Sequence, residues 1–221
     1  RTTDNNNDNI WLLMKRKIGT GDKYFVEMMV NNFESVDDHK NAFFVECGLT
    51  GEDLSSNSGA GTSDWDGLSH LNGESVYVLG DNVQYGPFVV NATVTNGIRI
   101  LNGSGVAVNC NNVTVGLKYK TIVETVPLNV AQGLEPRAKR KRIFSAFVNM
   151  YRSLSGKIGT PDQVYDLEYS AATSTPPELK TELVEVSFPD NSDREMIVRF
   201  EQDDVHPSNL LSITSEIHLG V

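Results

Sequence analysis

Groups that titrate near neutrality are scarce in this sequence, and long apolar runs are missing. The four histidines, His39, His70, His206 and His218, stand singly in 221 residues. None has a second histidine two or four positions away or a cysteine beside it, so metal-ligand spacing is absent and each reads as structural or solvated. Cysteine is limited to Cys47 and Cys110, each inside an apolar or strand-like stretch. Two isolated cysteines of this kind read as buried thiols rather than as a bridge. No run approaches the ~18 apolar residues of a membrane-spanning helix, and no leader of the secretory type opens the sequence, so the chain reads as soluble. A Gly-x-Ser-x-Gly elbow, a phosphate loop and a Gly-x-Gly-x-x-Gly turn are all lacking. Cations are outnumbered, 19 Lys and Arg against 29 Asp and Glu, which excludes a protein that grips nucleic acid by neutralising phosphates over its whole surface.

What is present is strand pattern. A length of 221 residues and 24.4 kDa allows one large domain or two small ones with a real core and no covalent staples. The chain begins at Arg1 without methionine and is expected to be processed or a fragment. Residues 9–17 (NIWLLMKRK) and 23–30 (KYFVEMMV) are apolar, β-rich runs. The glycines between them, Gly19 and Gly21, suit a tight reversal, so a hairpin is expected. Residues 31–41 read as linker, 42–47 (AFFVEC) as a strand and 51–64 as a Ser/Gly/Asn-rich surface loop.

From Trp65 onward the spacing is regular. Strands are expected at 75–79 (SVYVL), 86–90, 98–101, 106–108, 112–119 and 121–126, with reversals at Gly80-Asp81-Asn82, Asn96-Gly97 and 103–105. Valines alternating with polar residues between Gly/Asn turns predict a small antiparallel barrel or sandwich. Residues 132–142 mix helix formers with Gly133 and Pro136 and read as a connector. The run 143–151 (IFSAFVNMY) is long enough for a helix, yet Phe144, Ala146, Val148 and Met150 alternate with their neighbours, and a strand is preferred. Further strands are expected at 164–169, 182–188, 196–201 and 210–218. No stretch reads as a long amphipathic helix, so the fold class is all-β, built of short antiparallel strands. Three segments follow: 1–63, a hairpin and strand completing a β-rich domain shared with upstream sequence or with the C-terminal part; 64–128, a small barrel or sandwich; and 129–221, a C-terminal β domain.

Four features invite a chemical reading. Asp203-Asp204, after Glu201-Gln202, resembles a carboxylate pair for glycoside hydrolysis. Adjacent strand residues point to opposite faces, however, and a turn before Pro207 explains them better. Asp4, Asn6 and Asp8 alternate as calcium ligands do, but Asn9 stands where such a loop needs glycine and Lys15 where it needs glutamate, so a polar end is favoured. Asn91, Asn102 and Asn112 each open a glycosylation sequon, as chance allows in a chain rich in Asn, Ser and Thr. The sharpest feature is basic: Arg137, Lys139, Arg140, Lys141 and Arg142, five cations in six residues. Charges this dense stay solvated or face an anion, which leaves three readings open: an exposed loop, a contact with an acidic neighbouring subunit, or a phosphate contact with DNA.

Several segments, in order, carry a family likeness. They are Trp11 to Met28, with its Trp-x-hydrophobic strand running into Lys15-Arg16; Phe44-Val45-Glu46-Cys47-Gly48-Leu49; and Gly67-Leu68-Ser69-His70-Leu71-Asn72-Gly73 with the following Val76 to Asp81. Then come Val115-Gly116-Leu117-Lys118-Tyr119, and the terminal Val186 to Asn191, Met196 to Asp204 and Pro207 to Ile217. Together they resemble the C-terminal region of podovirus-type phage tail nozzle, or tail tubular B-like, proteins, also described as phage stabilisation proteins. Asn72, Asn82 and Val205-His206 depart from the family's pattern. The resemblance implies a non-enzymatic, cofactor-free structural subunit of the virion, assembled in the host cytoplasm. It implies a ring of copies, hexameric, that contacts other tail and adaptor proteins and passes DNA through its lumen, an exit for which an acidic wall is suited. Self-complementary edges rather than reactive groups serve that role. Two other classes remain: a carbohydrate-binding or depolymerising tail module, which needs exposed aromatics with paired carboxylates, and a capsid or host extracellular β-sandwich.

Overall fold

The computed structural model describes residues 2–4, 7–29, 39–40, 42–53, 61–127, 140–170, 177–188 and 196–219. Most of the linker expected at 31–41, half of the loop at 51–64 and most of the connector at 132–142 lie outside these residues. The chain is all-β, with several small antiparallel sheets, and no helix among the described residues is long and apolar enough to cross a membrane. It divides into two units, residues 1–119 and 120–221.

The first unit opens with a short ribbon, β1 (Thr2–Asp4) against β2 (Asn7–Asn9), so the segment read as a polar end has paired backbone. The expected hairpin follows as β3 (Trp11–Ile18) and β4 (Gly21–Met28), in unbroken register from Trp11 opposite Met28 to Ile18 opposite Gly21. Next come β5 (Glu46–Glu52), β6 (Asp64–Trp65), β7 (Ser75–Gly80), β8 (Val83–Val89), β9 (Ile98–Arg99) and β10 (Asn112–Leu117). Four of these form one sheet in the order β5-β10-β7-β8. The turn between β7 and β8 uses Asp81 and Asn82, both at positive φ, the geometry that favours Asp and Asn in a two-residue hairpin. Pro87 falls in β8, an edge strand, where its missing N–H costs no ladder bond.

Two expectations shift here. The strand predicted at 42–47 begins only at Glu46, and Ala42 and Val45 are buried without entering the sheet. The sheet needs glycine within β10, in the strand expected at 112–119: a Cβ on Gly116 would sit 2.8 Å from the Glu46 carbonyl oxygen and 2.7 Å from a Val45 methyl. Since β5 pairs with β10, the division expected near residue 64 falls between strands of one sheet. The core of this unit gathers Val76 and Val78 of β7, Val113 and Val115 of β10, and Ile98 and Ile100, with Ile18 and Phe25 joining from the hairpin.

The second unit contains β11 (Thr121–Glu124), β12 (Lys141–Ser153), β13 (Lys157–Gly159), β14 (Val164–Asp166), β15 (Lys180–Ser187), β16 (Arg199–Gln202) and β17 (Leu210–Leu219). Strand β11, expected to close the middle module, pairs with β16 instead. Two sheets, β11-β16-β13-β14 and β15-β12-β17, share one core. Ile143, Val148 and Met150 of β12 meet Ile158, Val184, Val186 and Phe200 there.

The preference for strand over helix at 143–151 holds, and its phase holds from Ala146 to Met150 but not at Phe144. A register shift between Ile143 and Ser145 reverses the alternation on the N-terminal side of Ser145. Lys141 and Ile143 therefore face inward with Ala146, Val148 and Met150, while Phe144 is left half exposed.

Candidate functional site

The basic segment is the one site named by the sequence. Arg137 and Lys139 lie outside the described residues. Arg140 is exposed at the entrance to β12, Lys141 is 1% exposed, and Arg142 is exposed, its guanidinium 5.9 Å from the Phe144 ring centre. Across the ladder Arg142 faces His218, whose ring lies 5.7 Å from Phe144. The strand's alternation thus splits the cluster: Arg140 and Arg142 point out, and Lys141 belongs to the interior. The two arginines are solvent-exposed, whereas Lys141 is enclosed.

The first unit contains a cavity of about 580 Å³. Leu12, Met14 and Met28 from the hairpin wall it on one side, with Phe43, Val45 and Tyr119 opposite. Its polar groups are bound to one another. Arg16 donates from Nε to Glu27 Oε1 at 3.0 Å and from Nη2 to Glu27 Oε2 at 2.8 Å, and its Nη1 bonds Glu46. The Cys47 thiol donates to Glu27 Oε1 at 3.2 Å. Bonding to Arg16 holds the Glu27 carboxyl below its usual range. Burial first, and the bond to Glu27 second, push the Cys47 thiol up to about 12. A thiol held that high is a packing group at neutral pH rather than a nucleophile. The same holds for Cys110, pushed up to about 11 by burial and by Asp81. Both cysteines are free and buried, in agreement with the reading of them as thiols.

In the second unit the charged groups of β11, β16, β13 and β14 form a ladder. Arg199 bonds Glu124 from Nε at 2.7 Å and reaches Glu201 at 3.2 Å from Nη1, while Lys120 meets Glu201 at 2.7 Å. Lys157 lies 3.6 Å from both Asp166 and Asp203, and Asp203 in the first place holds its ammonium above the usual lysine range. Asp203 follows the end of β16 and Asp204 opens a bend over residues 204–206, as the turn reading expects: Asp204 Oδ1 accepts the His206 N–H at 2.9 Å, and Gln202 Nε2 donates to the carbonyls of Asp204 and His206.

The histidines occupy separate places. His39 is buried, and His70 Nε2 lies 2.9 Å from the Cys47 carbonyl with its ring edge-on to Phe25. Burial lowers the His206 imidazole below its ordinary value, against an opposing pull from Asp204. His218 is exposed, 3.7 Å from Glu216. Among the described residues no three His, Cys, Asp or Glu side chains are grouped to hold a metal ion. Two of the sequon asparagines serve as turn residues: Asn91 Oδ1 accepts the Asn96 N–H, and Asn102 Oδ1 accepts those of Ser104 and Val106.

The sequence reading missed the Arg16–Glu27 clamp. Its signal was parity, since both residues fall on one face of a hairpin whose register is set by its turn. Compared with known proteins, the chain matches no family model and no curated protein.

Proposed function

We propose that this chain is a structural subunit of a phage tail nozzle or hub ring, a self-assembling wall of the conduit through which DNA leaves the virion. The observation that carries this reading is β17. Its ten residues, LLSITSEIHL, lie at an edge of the β15-β12-β17 sheet and pair only with β12 among the described residues. Edge strands that stay monomeric are blunted by Lys, Pro, bulges or shortness; β17 is long and has no Lys or Pro, though it carries Glu216 and a register shift near Leu211. A long edge strand with unpaired backbone is what a subunit offers to a neighbour. The acidic balance, a net charge of −10, suits a surface past which a phosphate backbone must slide without being held.

The test is the mass of the intact chain in solution by native mass spectrometry or sedimentation. A closed oligomer at micromolar concentration is expected, and a monomer at every concentration would overturn the reading. One observation favours the carbohydrate-binding alternative: Trp11 and Tyr24 are both exposed on one face of the β3–β4 hairpin. Glycan-array binding that is lost in Trp11→Ala and Tyr24→Ala would select that function over the ring.

A further inference from the structure

We propose that the cavity between the β3–β4 hairpin and β5 is a binding site for an organic ammonium ion carrying an apolar body. Its described walls all belong to the first unit of one chain, so the site goes beyond the ring reading and stands independently of it.

The volume of about 580 Å³ falls within the roughly 300–1,000 Å³ of sites that take small molecules. Strand parity builds one wall: Leu12, Met14 and Arg16 alternate on the inner face of β3, and Glu27 stands opposite Leu12 on that face. Phe43 and Val45 form the far side. They lie against the backbone of β5 because Gly48 has no side chain: a Cβ there would come 2.8 Å from the Phe43 ring and 2.6 Å from a Val45 methyl. Met14, Met28 and Met29, three of the chain's five methionines, also line the space. Unbranched thioethers adapt to varied apolar shapes, so these walls suit an aliphatic or aromatic body.

The polar end sets the sign of the ligand. Among the described residues the charged side chains lining the cavity are Arg16, Glu27 and Glu46, one cation against two carboxylates. Glu27 is saturated, since both of its oxygens accept from Arg16 and one also accepts from the Cys47 thiol. Glu46 is bonded to Arg16 through one oxygen alone, and its side chain is 39% exposed. Half-buried Tyr119 borders it: burial first, and the Glu46 carboxylate second, push that phenol above its ordinary value. A carboxylate with a spare acceptor beside an aromatic ring selects an ammonium, by a charge-assisted hydrogen bond and by cation–π attraction. An anionic ligand would meet the surplus negative charge and find Arg16 already engaged. A neutral one gains the apolar walls but nothing from Glu46.

The experiment titrates the intact chain, isotope-labelled at its methionine methyl groups, with hexylammonium chloride, hexanol and sodium hexanoate at neutral pH, and follows the NMR spectrum. The methionines report by place: Met14, Met28 and Met29 line the cavity, whereas Met150 and Met196 lie in the core of the second unit. Hexylammonium is expected to shift the first three saturably and leave the other two in place. Its dissociation constant should lie roughly tenfold or more below that of hexanol, with hexanoate weaker still. In Glu46→Gln the ammonium should lose that advantage while hexanol binds as before. Should this variant unfold by circular dichroism, Tyr119→Leu is read in its place, with the same loss of preference. No shift with hexylammonium, equal binding of the three compounds, a preference that survives the variant, or shifts that extend to Met150 and Met196 would each overturn the assignment.

Discussion

Arg16 holds Glu27 by two parallel hydrogen bonds along one face of the β3–β4 hairpin, with the Met14–Phe25 pair between them in the ladder. Because the same guanidinium also bonds Glu46 at the start of β5, it ties the hairpin to the sheet of the first unit. Removing it leaves two carboxylates without their cation in a partly enclosed cavity. Solvent reaches one side of the site, so Arg16→Met should lower stability by about 1–3 kcal/mol rather than by the larger loss of a fully buried pair. Arg16→Lys should restore little, since an ammonium does not reproduce the two-pronged geometry. Urea unfolding followed by tryptophan fluorescence measures both, and a neutral Arg16→Met would show the clamp to be incidental.

Acid should weaken the same attachment. The Glu27 carboxyl is held below the ordinary glutamate value in the folded chain, first by the bond to Arg16. Its contribution is therefore complete above the unfolded value of about 4.3 and is lost as pH falls through the lower folded value. Stability should decline from about pH 4 downward, and Glu27→Gln should be less stable at neutral pH with a shallower acid decline. Urea midpoints at pH 3 and pH 7 for both proteins give the comparison. Parallel declines would place the acid sensitivity elsewhere.

The outline of this fold was legible wherever local chemistry dictates geometry. The β3–β4 hairpin follows from two apolar runs around Gly19 and Gly21, and the β7–β8 reversal from Asp81 and Asn82. Long-range packing was not legible. Nothing local announces that Gly48 and Gly51 belong to a strand; they do because β5 pairs with the distant β10, and a Cβ there would meet the Val115 carbonyl and the Trp65 ring. Nor does local pattern reveal the bulge near Ile143, which turns Phe144 outward and brings Lys141 in. The clamp was half legible. Arg16 and Glu27 share a face by parity, but the Cys47–Glu27 bond depends on β5 packing against the hairpin.

The two thiols should behave as interior groups. At pH 8 a thiol pushed up to about 11 or 12 is ionised in about one molecule in a thousand or fewer, and only the thiolate attacks a disulfide reagent. Labelling of the native chain with a chromogenic disulfide should be at least tenfold slower than labelling in urea, where both cysteines react. Cys110, more deeply buried than Cys47, should be the slower of the two despite its lower value. Rapid stoichiometric labelling of the folded chain would contradict the enclosed setting described for both.

The basic segment should divide in its responses as it divides in space. Lys141 is a fully buried side chain at the start of β12, on the face shared with Ile143 and Ala146. Truncating it removes a long stem from a packed interior, so Lys141→Ala should cost about 2–4 kcal/mol. Arg140 is exposed, and Arg140→Ser should stay within about 0.5 kcal/mol of the wild-type. Arg142 lies between these, since it packs on the exposed Phe144 ring, a contact worth about 0.5–1 kcal/mol in solvent. Stability of the three variants by thermal melting separates these cases. If Lys141→Ala were as harmless as Arg140→Ser, the inward phase of β12 at Lys141 would be wrong.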